Sequence, residues 1–144
     1  MTVQVEVLSS ITDEIVDAVA KLLPQLSTSA KQLDAAAIDE INSSPATTIL
    51  LARCDGKIAG MLTLAMFPIP TQVKAWIEDV VVDEEFRGRG AAEELTKEAL
   101  RLARAAGARR VDLTTRPSRG AAGRLYERVG FQLRDTRVYR YTFE

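Results

Sequence analysis

The most restrictive feature of this chain is a strand-like run that leads through a glycine-rich turn into a long helical pattern. The apolar run ends at Val82, a short acidic turn follows, and Gly88 and Gly90 precede residues with helical spacing. A helix leaves its first backbone N–H groups unpaired, and its dipole adds partial positive charge at the same end. Glycines let the backbone approach a ligand closely because they carry no Cβ. This stretch therefore predicts a site for a phosphate or pyrophosphate group.

Two other phosphate motifs do not fit this turn. A dinucleotide fingerprint needs a third glycine where Glu93 stands, and it follows the first strand of its domain rather than a mid-chain strand. A triphosphate loop needs a Gly-Lys-Ser/Thr sequence, which the chain lacks. An ordinary strand–turn–helix connection with two solvated arginines, Arg87 and Arg89, is the remaining alternative.

Length, charge and hydropathy exclude several classes of protein. The 144 residues suffice for one domain over residues 1–144 that buries its own core. The net charge of −1 gives no general attraction to nucleic acid. No apolar run reaches the roughly 18 residues of a membrane span, and the N-terminus lacks a signal pattern. We therefore expect no nucleic-acid or membrane partner, and a cytoplasmic location.

The absence of histidine narrows the chemistry. With no histidine and one cysteine, Cys54, the chain cannot use Ser-His-Asp or Cys-His catalysis, and we expect no metal site. Cys54 follows a β-rich run, which favours a buried, inert thiol. Acid–base chemistry must then use Asp, Glu, Tyr, Lys, Cys or water.

Hydrophobic periodicity predicts an α/β (α+β) domain with the order β-α-α-β-β-β-α-β-α-β-β. Such an alternation folds as a mixed sheet, here of about seven strands, with helices on both faces. Thr12 or Ser10 is predicted to cap the first helix, Pro24 to end it, and Gly130 to end the last one. The predicted strands are Val3–Leu8, Thr47–Cys54, Ile58–Phe67, Val73–Val82, Arg110–Thr115, Phe131–Leu133 and Arg137–Phe143. The other predicted helices are Ser29–Asn42, Ala91–Ala106 and Ser118–Val129.

Two patterns resemble the GNAT superfamily of N-acetyltransferases. The spacing Arg-x-x-Gly-x-Ala at residues 87–92 is similar to that family's pyrophosphate loop, which cradles coenzyme A. Ala122, Tyr126, Gly130 and Phe131 resemble the family's Ala-x-x-x-Tyr-x-x-x-Gly-Phe pattern. The predicted element order is also that of the GNAT fold, over the whole chain. The resemblance implies acetyl-CoA as cosubstrate and an amine of a small molecule or protein as acceptor; dimers are common in such relatives.

The resemblance also implies which residues form the site. Tyr126 is expected to be the general acid for the leaving thiolate, and the N–H of Val80 to face the thioester oxygen. Many relatives have an asparagine seven residues before this tyrosine. Arg119 stands there and cannot accept a hydrogen bond, so it is expected to donate to a carbonyl or a phosphate instead. The residues expected to contact the coenzyme are Val80, Val81, Val82, Arg87, Gly88, Arg89, Gly90, Ala91, Ala92, Thr115, Ser118, Arg119 and Tyr126.

Two adjacent carboxylates, Glu78 and Asp79, are the candidates for the catalytic base. Neighbouring residues on a strand face opposite sides, so only one of them reaches the cleft unless a bulge breaks the alternation. Regular alternation would put Glu78 on one face with Val80 and Val82. We favour Glu78, with Asp79 and an ordered water as the alternatives.

Two rival functions remain open at this point. A non-catalytic, regulatory acyl-CoA-binding module would keep the turn at residues 87–92 and would not need Tyr126. A nucleotide-binding domain with a generic phosphate loop would prefer ATP or NAD to acetyl-CoA. The presence of Tyr126 favours an acetyl-CoA-dependent N-acetyltransferase that works by direct attack of the amine.

Overall fold

A computed structural model of the chain describes residues 2–118 and 120–144. The chain divides into two compact units, Met1–Thr114 and Thr115–Glu144. The first unit contains β1 (Val3–Val7), α1 (Asp13–Leu26), α2 (Ala35–Asn42), β2 (Thr47–Cys54), β3 (Lys57–Ile69), β4 (Gln72–Val82) and α3 (Ala91–Ala105), with a 3₁₀ turn at Glu84–Phe86. The second unit contains α4 (Gly120–Val129). A single domain over residues 1–144 stays a prediction.

The first unit is built on a four-stranded antiparallel sheet in the order β1-β2-β3-β4. The tight turn at Asp55 and Gly56 joins β2 to β3, as predicted, with positive φ at both residues. On the outer side of β4, Trp76 forms a parallel bridge with Asp112. In the part of the chain that the structure describes, this bridge is the parallel pairing that makes the sheet mixed.

Helices cover both faces of this sheet, as the alternation of elements predicted. Helices α1 and α2 pack on one face, where a continuous core forms from Leu8, Ile15, Val19, Leu22, Ile38, Ile49, Leu51, Met61 and Val81. Helix α3 contacts all four strands from the other side, with Leu95, Ala99 and Ala103 fully buried. Each large apolar side chain buried in this way contributes roughly 1.5–3 kcal/mol to stability.

Two predicted helix boundaries were wrong. Helix α1 begins after Thr12, whose Oγ1 accepts a hydrogen bond from the N–H of Ile15 (3.3 Å), but it continues through Pro24 to Leu26. Proline lacks an N–H, so only one backbone bond is lost, and the amide of Gln32 donates to the freed carbonyl of Ala20 (3.5 Å).

Helix α2 starts at Ala35 rather than Ser29, because Asp34 is its N-cap and accepts a hydrogen bond from the N–H of Ala37 (2.8 Å).

The predicted strand count was also wrong. Strand β3 passes through Pro68 and ends at Ile69, while the strand predicted over Arg110–Thr115 is reduced to the bridge at Asp112. Among the described residues after Val82, neither Phe131–Leu133 nor Arg137–Phe143 forms a strand. A strand requires a neighbouring backbone that supplies the ladder hydrogen bonds, and an alternating sequence cannot supply that neighbour. The α+β class itself is confirmed.

Candidate active site

Strand β4 carries a β-bulge in its second half. Thr63 of β3 pairs with Glu78, and the next regular pair is Met61 with Val81. Residues 79–80 of β4 therefore lie opposite a single residue of β3. A bulge of this kind bends the strand and leaves an extra residue outside the ladder. The sequence analysis allowed for such a bulge as the exception to the regular alternation of side chains between the two faces of the strand.

The bulge changes which residues share a face of β4. Glu78 pairs with Thr63, which lies on the same side of β3 as the core residue Met61, so Glu78 is on the α1 and α2 face. Val81 is also on that face and is buried in the core. The expectation that Glu78 shares a face with Val80 and Val82 was therefore wrong. Any coenzyme contact of Val81 must use its backbone.

Asp79 occupies the strained position of the bulge. Its φ of 50° lies in the left-handed region, which costs about 1–3 kcal/mol for residues other than glycine. Asp79 and Glu78 are both exposed to solvent. Both carboxylates are therefore accessible at the bulge, and both stay candidates for the base.

Among the described residues, pairing along the outer edge of β4 is found before the bulge. Asp112 accepts a hydrogen bond from the N–H of Ile77 (2.9 Å) and donates its own N–H to Ala75 (3.1 Å). Its carboxylate also pairs with Lys74 (3.1 Å). In the described part of the chain, no strand continues this pairing along residues 78–82. An extended ligand with amide groups can add to such an edge as a strand would.

The segment Arg87–Gly90, here called the glycine loop, connects the bulged strand to α3. Gly88 and Gly90 have φ values of 80° and 86°, a conformation that side chains disfavour. A Cβ at either position would meet no atom within 4 Å, so the space above both is open. All four loop residues are exposed. The loop therefore presents its backbone to solvent, as the sequence predicted.

The two arginines of the glycine loop are held differently. The Nε of Arg87 donates to the carbonyl of Val82 (3.3 Å), which folds this side chain back toward the end of β4. The guanidinium of Arg89 lies 5.4 Å from the centre of the Phe86 ring, a cation–π contact. Both positive charges therefore stay beside the loop, where they favour an anionic ligand.

Helix α3 starts at the end of the glycine loop. Gly90 is its N-cap, and the carbonyl of Gly90 accepts from the N–H of Glu94 (3.0 Å). The N–H groups of Ala91 and Ala92 precede this first bond and have no acceptor within the helix. The carboxylate of Glu93 pairs with Lys97 (3.3 Å), which reduces its repulsion of an anion. The start of α3 therefore has the geometry of an anion site.

The second unit contains the tyrosine motif on α4. Gly130 ends the helix with a φ of 122°, and the N–H of Phe131 donates to the carbonyl of Tyr126 (2.9 Å). These are the bonds of a glycine C-cap, so the predicted end of the last helix is confirmed. The Tyr126 ring is half-buried and meets the Phe131 ring edge-on, with centroids 5.7 Å apart. Tyr126 is thus held by backbone and ring contacts within its own unit.

The other predicted residues of this region precede α4. Thr115 and Ser118 are exposed, and Arg119 lies outside the described residues. Their contacts with a coenzyme, like the catalytic role of Tyr126, stay predictions.

Comparison with protein families identifies the chain. The model of the Acetyltransferase (GNAT) family matches residues 15–131. The chain belongs to the GNAT family. The resemblance inferred from the glycine loop and the tyrosine motif is therefore confirmed, and the matched region extends from α1 to the end of the tyrosine motif.

Individual relatives of this GNAT protein support the same conclusion. N-alpha-acetyltransferase 30 of Schizosaccharomyces pombe is 37% identical over 71 residues, which are 49% of this chain and 47% of the relative. The match thus spans about half the length of that protein.

Two solved structures share the GNAT fold of this chain. A transcriptional regulator from Bacillus halodurans C-125 has a TM-score of 0.84 and 23% identity, and the match covers 99% of this chain and 100% of that one. AAC(6')-Iy in complex with the bisubstrate analogue CoA-S-monomethyl-acetylneamine has a TM-score of 0.80 and 19% identity, with 100% and 99% covered. At these identities the likeness establishes the fold alone.

The cysteine of this GNAT protein lies away from solvent. Cys54 is fully buried, and burial raises the pKa of its thiol, although the charge of Arg89 opposes that shift. A buried, neutral thiol agrees with the inert role that the sequence predicted. Within residues 2–118 and 120–144, no three metal-ligating side chains lie close together, and no helix is long and apolar enough to cross a membrane.

One buried carboxylate beside the glycine loop was missed by sequence reasoning. Asp83 was seen only as part of a short acidic turn, yet it is 2% exposed and starts the turn that leads into the glycine loop. Its Oδ1 accepts from the N–H of Glu85 (3.1 Å), and its carbonyl accepts from the N–H of Phe86 (2.8 Å). The sequence did contain an indication of this role, because Asp is a preferred residue at the cap of a helical turn. Its partner on α1, Gln25, gave no signal at all.

Proposed function

We propose that this GNAT protein is an acetyl-CoA-dependent N-acetyltransferase that transfers the acetyl group to a primary amine by direct attack. One observation carries the proposal: within residues 78–92, a bulged strand edge, along which the described part of the chain pairs no further strand, runs directly into the glycine loop and the start of α3. A thioester on an amide-rich arm that ends in a diphosphate requires these two surfaces in this order.

The binding roles follow from the chemistry of the cosubstrate. The N–H groups of Ala91 and Ala92, with the exposed backbone of the glycine loop, suit a diphosphate. The pantetheine arm resembles an extended peptide, and it would pair with the edge at residues 78–82. Thr115, Ser118 and Arg119 stay candidates for further polar contacts with the coenzyme.

The reaction then needs an oxyanion donor, a base and an acid. The amine nitrogen attacks the thioester carbon and forms the amide bond, while the carbonyl oxygen takes negative charge that the N–H of Val80 would stabilise. The carbon–sulfur bond breaks as the oxyanion collapses. Glu78, or alternatively Asp79 or water, would take the amine proton, and Tyr126 would protonate the leaving thiolate.

The acceptor is an amine of a protein or of a small molecule. The S. pombe relative is named an N-alpha-acetyltransferase, and AAC(6')-Iy was solved with an analogue that joins coenzyme A to acetylneamine. Both names support an amine acceptor and leave its class open. A cytoplasmic location and a dimer stay predictions.

A regulatory acyl-CoA-binding module is the second candidate, because one structural neighbour is named a transcriptional regulator. Calorimetry with acetyl-CoA, ATP and NAD tests the ligand first, and we expect acetyl-CoA alone to bind. A screen of amine acceptors with detection of released thiol then separates the two candidates. Thiol release that depends on an amine supports the enzyme, whereas tight acetyl-CoA binding without turnover on any amine favours the regulatory module.

A further inference from the structure

Helix α1 holds the turn that precedes the glycine loop through a buried carboxylate, that of Asp83. The side chain of Asp83 is 3% exposed, and its Oδ2 pairs with the Nζ of Lys21 at 3.0 Å. Its Oδ1 accepts from the Nε2 of Gln25 at 3.5 Å. Lys21 and Gln25 lie one turn apart on α1, so both project from the same side of that helix. A contact between residues 58 positions apart in sequence thus joins α1 to the turn before the glycine loop.

Gln25 uses both ends of its amide in this contact. Its Nε2 also donates to the carbonyl of Lys21 (3.2 Å), and its Oε1 accepts from the backbone N–H of Glu84 (2.9 Å). One side chain therefore binds both the carboxylate of Asp83 and the backbone of the turn after it. Because donor and acceptor are both engaged, the amide has a single favourable orientation.

The charge of Asp83 makes these contacts necessary. Burial by itself raises the pKa of the carboxyl, but hydrogen bonds from the N–H of Glu85, from Lys21 and from Gln25 outweigh it and hold the pKa below its usual range. The group is therefore charged at neutral pH. A buried charge that loses its partners is strongly unfavourable, so the turn would move to regain solvent or new donors.

The two ends of the glycine loop are anchored by different means. On the α3 side, the buried Ala91 and Leu95 hold the helix against the sheet. On the β4 side, Asp83 closes the 3₁₀ turn that immediately precedes the loop, and Asp83 is in turn held by α1. The backbone N–H of Asp83 also donates to the carbonyl of Ala59 in β3 (2.7 Å), so the first residue of the turn is held by the sheet as well. Loss of the α1 contact would therefore release the side chain of Asp83 and the backbone of Glu84, which lie between the sheet and the loop.

We propose that Gln25 and Lys21 are positioning residues for coenzyme A: through Asp83 they hold the glycine loop in the conformation that receives the diphosphate. This inference rests on the proposed function. Helix α1 also forms part of the hydrophobic core. The inference gives it a second role, which is to support the turn before the glycine loop. Both residues are proposed to act through Asp83 rather than by contact with the coenzyme.

Gln25→Ala tests the proposal with coenzyme A itself as the probe. The change removes both contacts with the turn but leaves the ion pair of Lys21 with Asp83, so the protein should still fold. We expect the dissociation constant for coenzyme A, measured by calorimetry, to rise about fivefold to tenfold. Gln25→Glu keeps an acceptor for Glu84 but repels Asp83, and it should weaken binding at least as much.

The other end of α1 offers a matched control. Glu14 pairs with Arg53 of β2 at 2.9 Å, so Glu14→Gln loosens the same helix without touching the turn. We expect this variant to lower the melting temperature by as much as Gln25→Ala while its coenzyme A affinity stays within about twofold of wild type.

Three outcomes overturn the proposal. Unchanged affinity in Gln25→Ala would show that the loop needs no support from α1. An equal loss of affinity in Glu14→Gln would show that general loosening of α1 is the cause. A wild-type protein that does not bind coenzyme A would overturn the proposed function itself, whereas normal wild-type binding with either of the first two results overturns this inference alone.

Discussion

The glycine loop and helix α4 are built in opposite ways. In the loop, the candidate binding groups are backbone N–H groups, and the conformation that exposes them depends on positive φ angles at Gly88 and Gly90. In α4, the candidate group is one side-chain hydroxyl, that of Tyr126, and the backbone only holds it in place. A substitution in the loop should therefore change coenzyme affinity, while a substitution of the tyrosine should change the chemical step. Four predictions test this division.

The largest effect is expected at Gly90. Gly90→Asp places a carboxylate at the start of α3, where it repels the diphosphate, and forces a side chain into a φ of 86°. The dissociation constant for coenzyme A should rise about 10³-fold, or roughly 4 kcal/mol, as measured by calorimetry. Gly90→Ala adds only a methyl group in open space and should cost less than about tenfold. A folded Gly90→Asp protein with wild-type affinity would exclude the loop as the phosphate site.

The opposite pattern is expected for Tyr126→Phe. The ring and its contact with Phe131 are kept, so coenzyme affinity and melting temperature should change little. Turnover should fall roughly 10²- to 10³-fold, because the hydroxyl that protonates the thiolate is lost. Thiol release measured against pH checks this, and a less basic leaving thiol should restore part of the rate. Wild-type turnover at neutral and alkaline pH would make Tyr126 a packing residue and assign the proton to water.

Substitutions of the two carboxylates at the bulge should lower turnover by as much as Tyr126→Phe or by less. If Glu78 is the base, Glu78→Gln should lower kcat by about 10²-fold with unchanged coenzyme affinity. Asp79→Asn is the matched control on the adjacent exposed residue and should have a smaller effect. The reverse ranking would move the role to Asp79, and two nearly normal variants would leave deprotonation to water.

The smallest effect concerns the stability of α4 alone. Gly130→Ala should lower the free energy of unfolding by about 1 kcal/mol, because alanine is strained at a φ of 122°. Gly123→Ala, inside the same helix and facing open space, should instead stabilise the protein by roughly 0.5–1 kcal/mol. Urea unfolding of both variants measures the difference. Equal effects of the two substitutions would show that the C-cap at Gly130 does not matter for stability.

The parts of the site that the sequence predicted are those governed by neighbouring residues. The glycine loop, the start of α3 at Ala91 and the C-cap at Gly130 all follow from backbone preferences within a few positions. The same kind of local rule predicted that Pro24 ends α1, and this prediction was wrong. The side-chain amide of Gln32 donates to the carbonyl of Ala20, which the proline leaves without its helical donor. Local rules therefore hold until a residue from elsewhere in the chain intervenes.

By itself, the sequence determined the alternation of elements, the glycine loop before a helix and the family motif around Tyr126, since each depends on short stretches of chain. Only the tertiary structure decided that β4 has a bulge at residues 79–80 and that Glu78 consequently lies on the α1 and α2 face. It alone brought Gln25 to Asp83. Among the described residues it also set the number of paired strands in the sheet at four. A strand needs a paired neighbour and a buried charge needs partners, and folding brings both from distant parts of the chain.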